Sequence, residues 1–279
     1  MCCFRSTFTI FQKIVIKYEF DESKILFRDS HENYYIVKNL NDNKKYTAKI
    51  LLCINEISGK DQCTEIRNVM LLKKLNHPAI IKIFGINFHS FKNEEILKPT
   101  ILMEYIPKGT LYDLINLEKK GIAPKFWTFT KKYINLVGIS HAMSCLHKNG
   151  VIYRDLKPDN IFFDEDFYLR IYNFTYCPFF SHPLDSSMLL LDKQFGTPLY
   201  MAPEVLMGAV DVYSFAITAY EILTTEEPYG KINIRDLNHL ILSNQRPKFN
   251  SDFTEPMKKL ISRCWSQNSS DRPSFGEIL

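Results

Sequence analysis

Apolar and polar positions along the chain fall into two regimes. From Phe20 to Tyr105 short runs rich in β-branched and aromatic residues alternate with polar turns, and from Gly109 onward the chain reads mostly as helices. Tyr34 to Val37 and Tyr46 to Leu52 flank the segment NLNDNKK, whose Asn and Asp residues favour a turn, so a hairpin with Lys49 in its second strand is predicted. Residues 61 to 75 place Glu65, Asn68, Leu72 and Leu75 on one helical face, and Asn76-His77-Pro78 ends that helix. Two further strands follow, IIKIFGINF and TILMEYI. Pro107, Lys108 and Gly109 punctuate the shift to helix, and helices are predicted at 111 to 118, 127 to 148, 211 to 225, 235 to 243 and 255 to 266. The pattern is α+β with the strands first: an extension at 1 to 19, a β-rich part at 20 to 103 and a helical part at 108 to 279, with Pro107, Lys108 and Gly109 as the candidate hinge between them.

Composition narrows the class without naming a partner. The 279 residues exceed one typical domain and fall short of two comfortable ones, and 46% hydrophobic with 24% charged residues is a globular balance. A net charge of +4, dispersed along the chain, argues against a nucleic-acid partner. No repeat, low-complexity tract or Gly/Ser-rich linker separates the halves. The seven cysteines form no C-x-x-C pair, which points away from a disulfide framework or zinc site and toward a reducing, cytoplasmic location. No run of eighteen apolar residues is present, so no membrane span is predicted.

The chemistry concentrates in VIYRDLKPDNIFF at 151 to 163, where an acid, a lysine and an asparagine stand at fixed offsets between apolar runs. This string resembles the catalytic loop of a eukaryotic protein kinase. The resemblance implies Asp155 as the carboxylate that orients a substrate hydroxyl, Lys157 as the cation near the moving phosphoryl group, and Asn160 as an oxygen ligand for Mg2+. GTPLYMAPE at 196 to 204 is similar to the end of a kinase activation segment, with Arg272 implied as the buried partner of Glu204. TAKI at 47 to 50 resembles V-A-I-K, giving Lys49 the phosphates of ATP and Ala48 the adenine pocket. ILMEYIPKGTLYDLI looks like the hinge: Met103 as gatekeeper, Glu104 and Ile106 meeting adenine through their backbone, and Phe162 covering its other face. DVYSFAITAYEIL resembles the helix that anchors the C-lobe, with Asp211 bracing the catalytic loop, and a hydrophobic ladder is implied through Leu72, Ile83, Tyr153, Phe174 and Asp211. Lys157 and the phrases HPAIIKIFG and CWSQNSSDRPSF are closest to serine/threonine kinases of the tyrosine-kinase-like group. The implied fold is a bilobal kinase domain with a β-rich N-lobe and a helical C-lobe.

Four features depart from that family. ILFRDSHENYYIV lacks the glycines that let backbone amides approach a triphosphate, and Asp29 and Glu32 add negative charge there. D-F-G is Asn173-Phe174-Thr175, so a metal-binding carboxylate has become a neutral amide. Asn68 stands where the helix should supply a glutamate to Lys49, with Glu65 one turn earlier as a substitute. Only VLMGAV separates Glu204 from Asp211, a shortened loop or a missing piece of the coding sequence, and the end at Leu279 suggests a clipped final helix. Two function classes follow: a pseudokinase acting as a signalling scaffold or regulator with weak or no phosphotransfer, or an active serine/threonine kinase with an atypical metal site that uses ATP and Mg2+ on a protein substrate. A third reading is a truncated copy that folds poorly. Arg154 is a candidate to pair with a phosphate on Ser181, Ser186, Ser187 or Thr197, or else simply bonds neighbouring carbonyls.

Overall fold

The computed structural model describes residues 18–29, 32–39, 43–51, 69, 72–89, 97–174, 177, 196–204, 210–251 and 253–279. The chain forms two compact units, the first ending at Tyr105 and the second built from His77–Ile81 and Ile106–Leu279. The break falls at Tyr105, where the strands give way to helices.

The first unit is a five-stranded antiparallel sheet of β1 (Tyr18–Asp29), β2 (Glu32–Asn39), β3 (Lys45–Leu51), β4 (Ile83–His89) and β5 (Leu97–Glu104), in the order β1-β2-β3-β5-β4. The β2–β3 hairpin lies where its turn residues predicted. Asn43, in the turn, adopts φ 59°, a left-handed conformation that Asn tolerates better than most residues. Successive side chains in a strand face opposite ways, and cross-strand partners share a face. Val37, Ala48 and Leu102 therefore pack together on one face, with Tyr35, Tyr46 and Phe84 against them. Val69 and Leu72 are helical and buried, and the helix closes before Asn76, as predicted; Glu65 and Asn68 lie outside the described residues.

The second unit is helical around one small hairpin. Its helices are α1 (Leu111–Lys119), α2 (Phe129–Lys148), α3 (Val210–Thr224), α4 (Ile234–Leu242), α5 (Glu255–Cys264) and the terminal turn α6 (Phe275–Ile278). α1 begins with a capping box in which Thr110 accepts from the Asp113 amide while Asp113 accepts from the Thr110 amide. α2 starts two residues later than predicted, because Thr128 caps it and Trp127 turns inward instead. Every residue of α3 is buried, so this helix, apolar on most sides, is the axis of the unit. The hairpin pairs β6 (Ile161–Phe163) with β7 (Leu169–Ile171), and Ile80 bridges to Ile171, which ties His77–Ile81 to this unit. No helix is long and apolar enough to cross a membrane among the described residues.

Candidate active site

The acid of the 151 to 163 string sits on a loop that α3 holds from below. Asp211, with 0% exposure, accepts from the Tyr153 amide at 2.8 Å and the Arg154 amide at 2.7 Å, and His147 Nε2 meets the same carboxylate at 2.8 Å. Two backbone donors 57 and 58 residues away in sequence are thereby fixed by one side chain. Arg154 is held at φ 69°, a conformation that costs a non-glycine residue about 1 kcal/mol or more. Burial pulls its guanidinium below the usual arginine range, while the Asp211 charge opposes that shift. Tyr153 packs edge-on against Phe174 at 5.2 Å, its hydroxyl donates to the Tyr172 carbonyl, and the Cys177 thiol donates to its carbonyl at 3.3 Å.

Asp155 is enclosed by hydrogen bonds. Its Oδ1 accepts from Thr197 Oγ1 at 3.0 Å and its Oδ2 from Asn160 Nδ2 at 2.7 Å; Lys157 Nζ lies 3.5 Å from Oδ2 and donates to Thr197 at 2.6 Å. The Asn160 amide also donates to the Asp155 carbonyl at 2.7 Å, which leaves its own Oδ1 facing Asn173, whose Nδ2 donates to it at 3.4 Å. Asn173 has φ 51°, again a conformation that suits asparagine. A chain of amides thus runs from 173 through 160 to the Asp155 carboxylate. An aspartate at 173 could not donate to Asn160, so this closure exists only because the residue is Asn.

Further out, Glu204 and Arg272 form a two-pronged ion pair, with Arg272 Nη2 at 2.8 Å from Glu204 Oε2 and its Nε donating to the Ser266 carbonyl. Tyr200 donates to Glu221 at 2.8 Å from the same segment. Burial lifts the Glu221 carboxyl to about 8, the Tyr200 bond pulling it down and Asp159 pushing it further up.

In the first unit Lys49 is 4% exposed, paired across β2 with Tyr34 and across β5 with Ile101, its Nζ lying 5.9 Å from the Tyr34 ring centroid. Thr47 and Met103 are cross-strand partners on this same face. Ala48 is not on it. It pairs with Tyr35 and Leu102 in the packed cluster on the opposite side, because neighbours in a strand alternate.

Residues 31–279 match the family described as Protein kinase domain. The chain belongs to the protein kinase domain family. A serine/threonine-protein kinase/receptor of Acanthamoeba polyphaga mimivirus is 34% identical over 76% of this chain and 12% of its own length. The dual specificity protein kinase shkB of Dictyostelium discoideum is 33% identical over 76% of the chain and 32% of its own. A LIM domain-containing serine/threonine-protein kinase of the same organism is 30% identical over 96% of the chain and 40% of its own. The chain therefore spans less than half the length of these curated relatives.

Within the kinase domain the residues picked out from sequence fall into two groups. Asp155, Lys157, Asn160, Asn173, Thr197 and Asp211 converge on one loop, and Glu204 meets Arg272 as the resemblance implied. Met103 and Ile106 are buried, Glu104 donates its amide to the Lys82 carbonyl, and the Phe162 ring packs at a 44° tilt on Tyr172, centroids 4.8 Å apart. Leu72 and Ile83 are buried in the first unit.

Two expectations need correcting. Ala48 lies on the sheet face opposite Lys49; Thr47 shares the face of Lys49, and strand alternation already implied it. Thr197 is not an open phosphate acceptor: its hydroxyl is committed to Asp155 and Lys157, and a phosphate there would stand against the Asp155 carboxylate. Ser181, Ser186 and Ser187 lie outside the described residues, as do Thr175 and the segment 205–209. Sequence reasoning missed His147, Tyr200 and Glu221. The positions of Tyr200 and Glu221, inside two strings already singled out, were the available signal.

The donor set fits magnesium poorly. Mg2+ is held through one or two carboxylates and keeps its remaining ligands octahedral. Here both side chains that the resemblance implies for the metal, Asn160 and Asn173, are neutral amides, one donating to the other's oxygen, and the nearby carboxylate is taken up by Thr197, Asn160 and Lys157. Among the described residues no group of three His, Cys, Asp or Glu converges to hold a metal.

Proposed function

We propose that this kinase-fold domain is a pseudokinase: a signalling scaffold or regulator with weak or no phosphotransfer, whose partner is a protein rather than a nucleic acid. The observation that carries the reading is the closed amide chain from Asn173 to Asn160 to Asp155. Losing a full negative charge at the metal site removes several kcal/mol of transition-state stabilisation, on the order of a thousandfold in rate. The boundaries are an N-lobe at 20 to 103, a hinge at 104 to 107 and a C-lobe at 108 to 279. Lys49, Met103, Glu104, Ile106 and Phe162 are the residues that would meet a nucleotide. The cytoplasm is the proposed location, in keeping with the free thiols of Cys145, Cys177 and Cys264.

The rival reading, an active serine/threonine kinase, draws on the intact frame of Asp155, Lys157 and Thr197 over Asp211. Thermal unfolding with ATP or ADP, each with and without magnesium, separates the two, since a ligand raises stability with its occupancy. The wild-type chain is expected to show no magnesium-dependent shift, whereas Asn173→Asp gains one. A magnesium-dependent shift in wild type that Lys49→Met abolishes, with phosphotransfer lost in Asp155→Asn, would overturn the pseudokinase assignment.

A further inference from the structure

Between Glu118 and Asp155 the chain contains no acidic residue, while it carries Lys119, Lys120, Lys125, Lys131, Lys132, Lys148 and Arg154. The first half of this stretch forms the connection from α1 to α2 and the opening turns of α2. Two of its side chains are anchors. Trp127 Nε1 donates to Glu118 Oε2 at 2.8 Å and Lys132 Nζ pairs with Glu118 Oε1 at 2.6 Å, so both point inward and the Glu118 charge is neutralised. With the anchors buried, their neighbours stand outward: Ile122 is 64% exposed, Phe126 is 38% exposed with its ring 4.2 Å from Phe167, and Phe129 is 45% exposed with its ring 5.3 Å from Tyr133. Thr130, Ile134, Val137 and His141 continue along one face of α2 at three-and-four spacing, Ile134 and Val137 at 55% and 50% exposure.

The lysines lie in the same stretch of chain as these apolar side chains. Lys119, Lys120 and Lys125 are exposed, and Lys131 lies 5.0 Å over the ring of Tyr168, itself exposed on the β6–β7 turn. Acids lie on that same turn: Asp164 is tied to Arg170 at 2.8 Å, and Glu165 and Asp166 are exposed.

We propose that this ridge docks the domain on an anionic phospholipid surface, with Ile122, Phe126, Phe129, Ile134 and Val137 entering the interfacial zone and the lysines meeting headgroup phosphates. Exposed aliphatic and aromatic side chains on one face of α2 and the connection before it, in a stretch that carries lysines and no acid, suit an anionic, deformable interface. The acids at the Tyr168 edge turn that end of the ridge away from the lipid. Docking here is independent of whether the catalytic loop binds a nucleotide.

The experiment is co-sedimentation of the purified full chain with vesicles of phosphatidylcholine alone or of phosphatidylcholine with phosphatidylserine. Binding is expected only to the second, weakening as salt is raised. Each lysine near such a surface contributes about a fivefold factor, so Lys120→Gln with Lys125→Gln weakens binding by more than about tenfold. Ile122→Ser with Ile134→Ser is expected to release the chain although its charge is unchanged. These four side chains make no hydrogen bond or ion pair among the described residues, and an unchanged cooperative melt confirms that each variant folds. Absence of binding to phosphatidylserine vesicles overturns the proposal. So does binding that both variant pairs leave intact. Binding that the isoleucine pair leaves intact but soluble polyaspartate competes away also overturns it, in favour of an acidic protein partner.

Discussion

Replacing Asp211 with asparagine tests whether α3 holds the catalytic loop. The carboxylate is buried and each of its oxygens accepts a different backbone amide, from Tyr153 and from Arg154, with His147 as a third partner. Asparagine is the same size but offers one acceptor and one donor, so its NH2 faces one of the two amides, donor against donor. One buried N–H then loses its partner at about 1–3 kcal/mol, and the bond that remains is no longer charge-assisted, which adds about 1 kcal/mol. Part of that is returned if Arg154 relaxes from φ 69°, worth about 1 kcal/mol. The expected net loss is about 1–3 kcal/mol in urea unfolding, with faster hydrogen exchange at the Tyr153 and Arg154 amides. His147→Ala, which removes one of the three partners and leaves both amides satisfied, is expected to cost about 1 kcal/mol. A loss for Asp211→Asn within about 0.5 kcal/mol, with both amides still protected, would refute the reasoning.

Two other substitutions probe the second unit. Arg272→Met leaves Glu204 without its cation, and since the Arg272 side chain is fully buried the expected cost is about 3–5 kcal/mol; the double variant with Glu204→Gln is expected to lose less than the two single losses added, and strict additivity would show that the pair does not act as one. For Glu221, whose carboxyl burial raises from 4.5 to about 8, the folded state keeps a proton that the unfolded chain releases. Its stabilising contribution is therefore complete below about pH 4.5 and declines as pH rises toward 8. The melting temperature is expected to fall across that window and Glu221→Gln to flatten the slope; an unaltered slope in the variant would exclude this group as its source.

Much of the fold was legible because its signals are local. The five predicted helices end within two residues of the observed ones, the hairpin turn carries Asn and Asp, and the residues of the 151 to 163 string lie close enough together that their loop assembles from chain neighbours. The errors arose where a side-chain partner brought up by the fold decided the outcome. Thr197 reads as an ordinary activation-segment threonine until the fold brings it to Asp155, 42 residues away. Trp127 reads as the first turn of a helix until Glu118 captures its indole. Ala48 is a different case: period-two alternation was available in the sequence, and the matching of TAKI to a family string displaced it by one residue.

By itself, the sequence determined the family, the order of strands and helices, and the substitution of asparagine at 173, since each depends on residue identity and short-range spacing. Only the tertiary structure decided that the Asn173 amide donates to Asn160, that one buried carboxylate organises the backbone of the 151 to 163 loop, and that burial lifts the Glu221 carboxyl to about 8. Those outcomes depend on desolvation and on hydrogen-bond partners tens of residues apart. Neither has a signature in the linear pattern, because the energy of a polar group is set by what surrounds it in space.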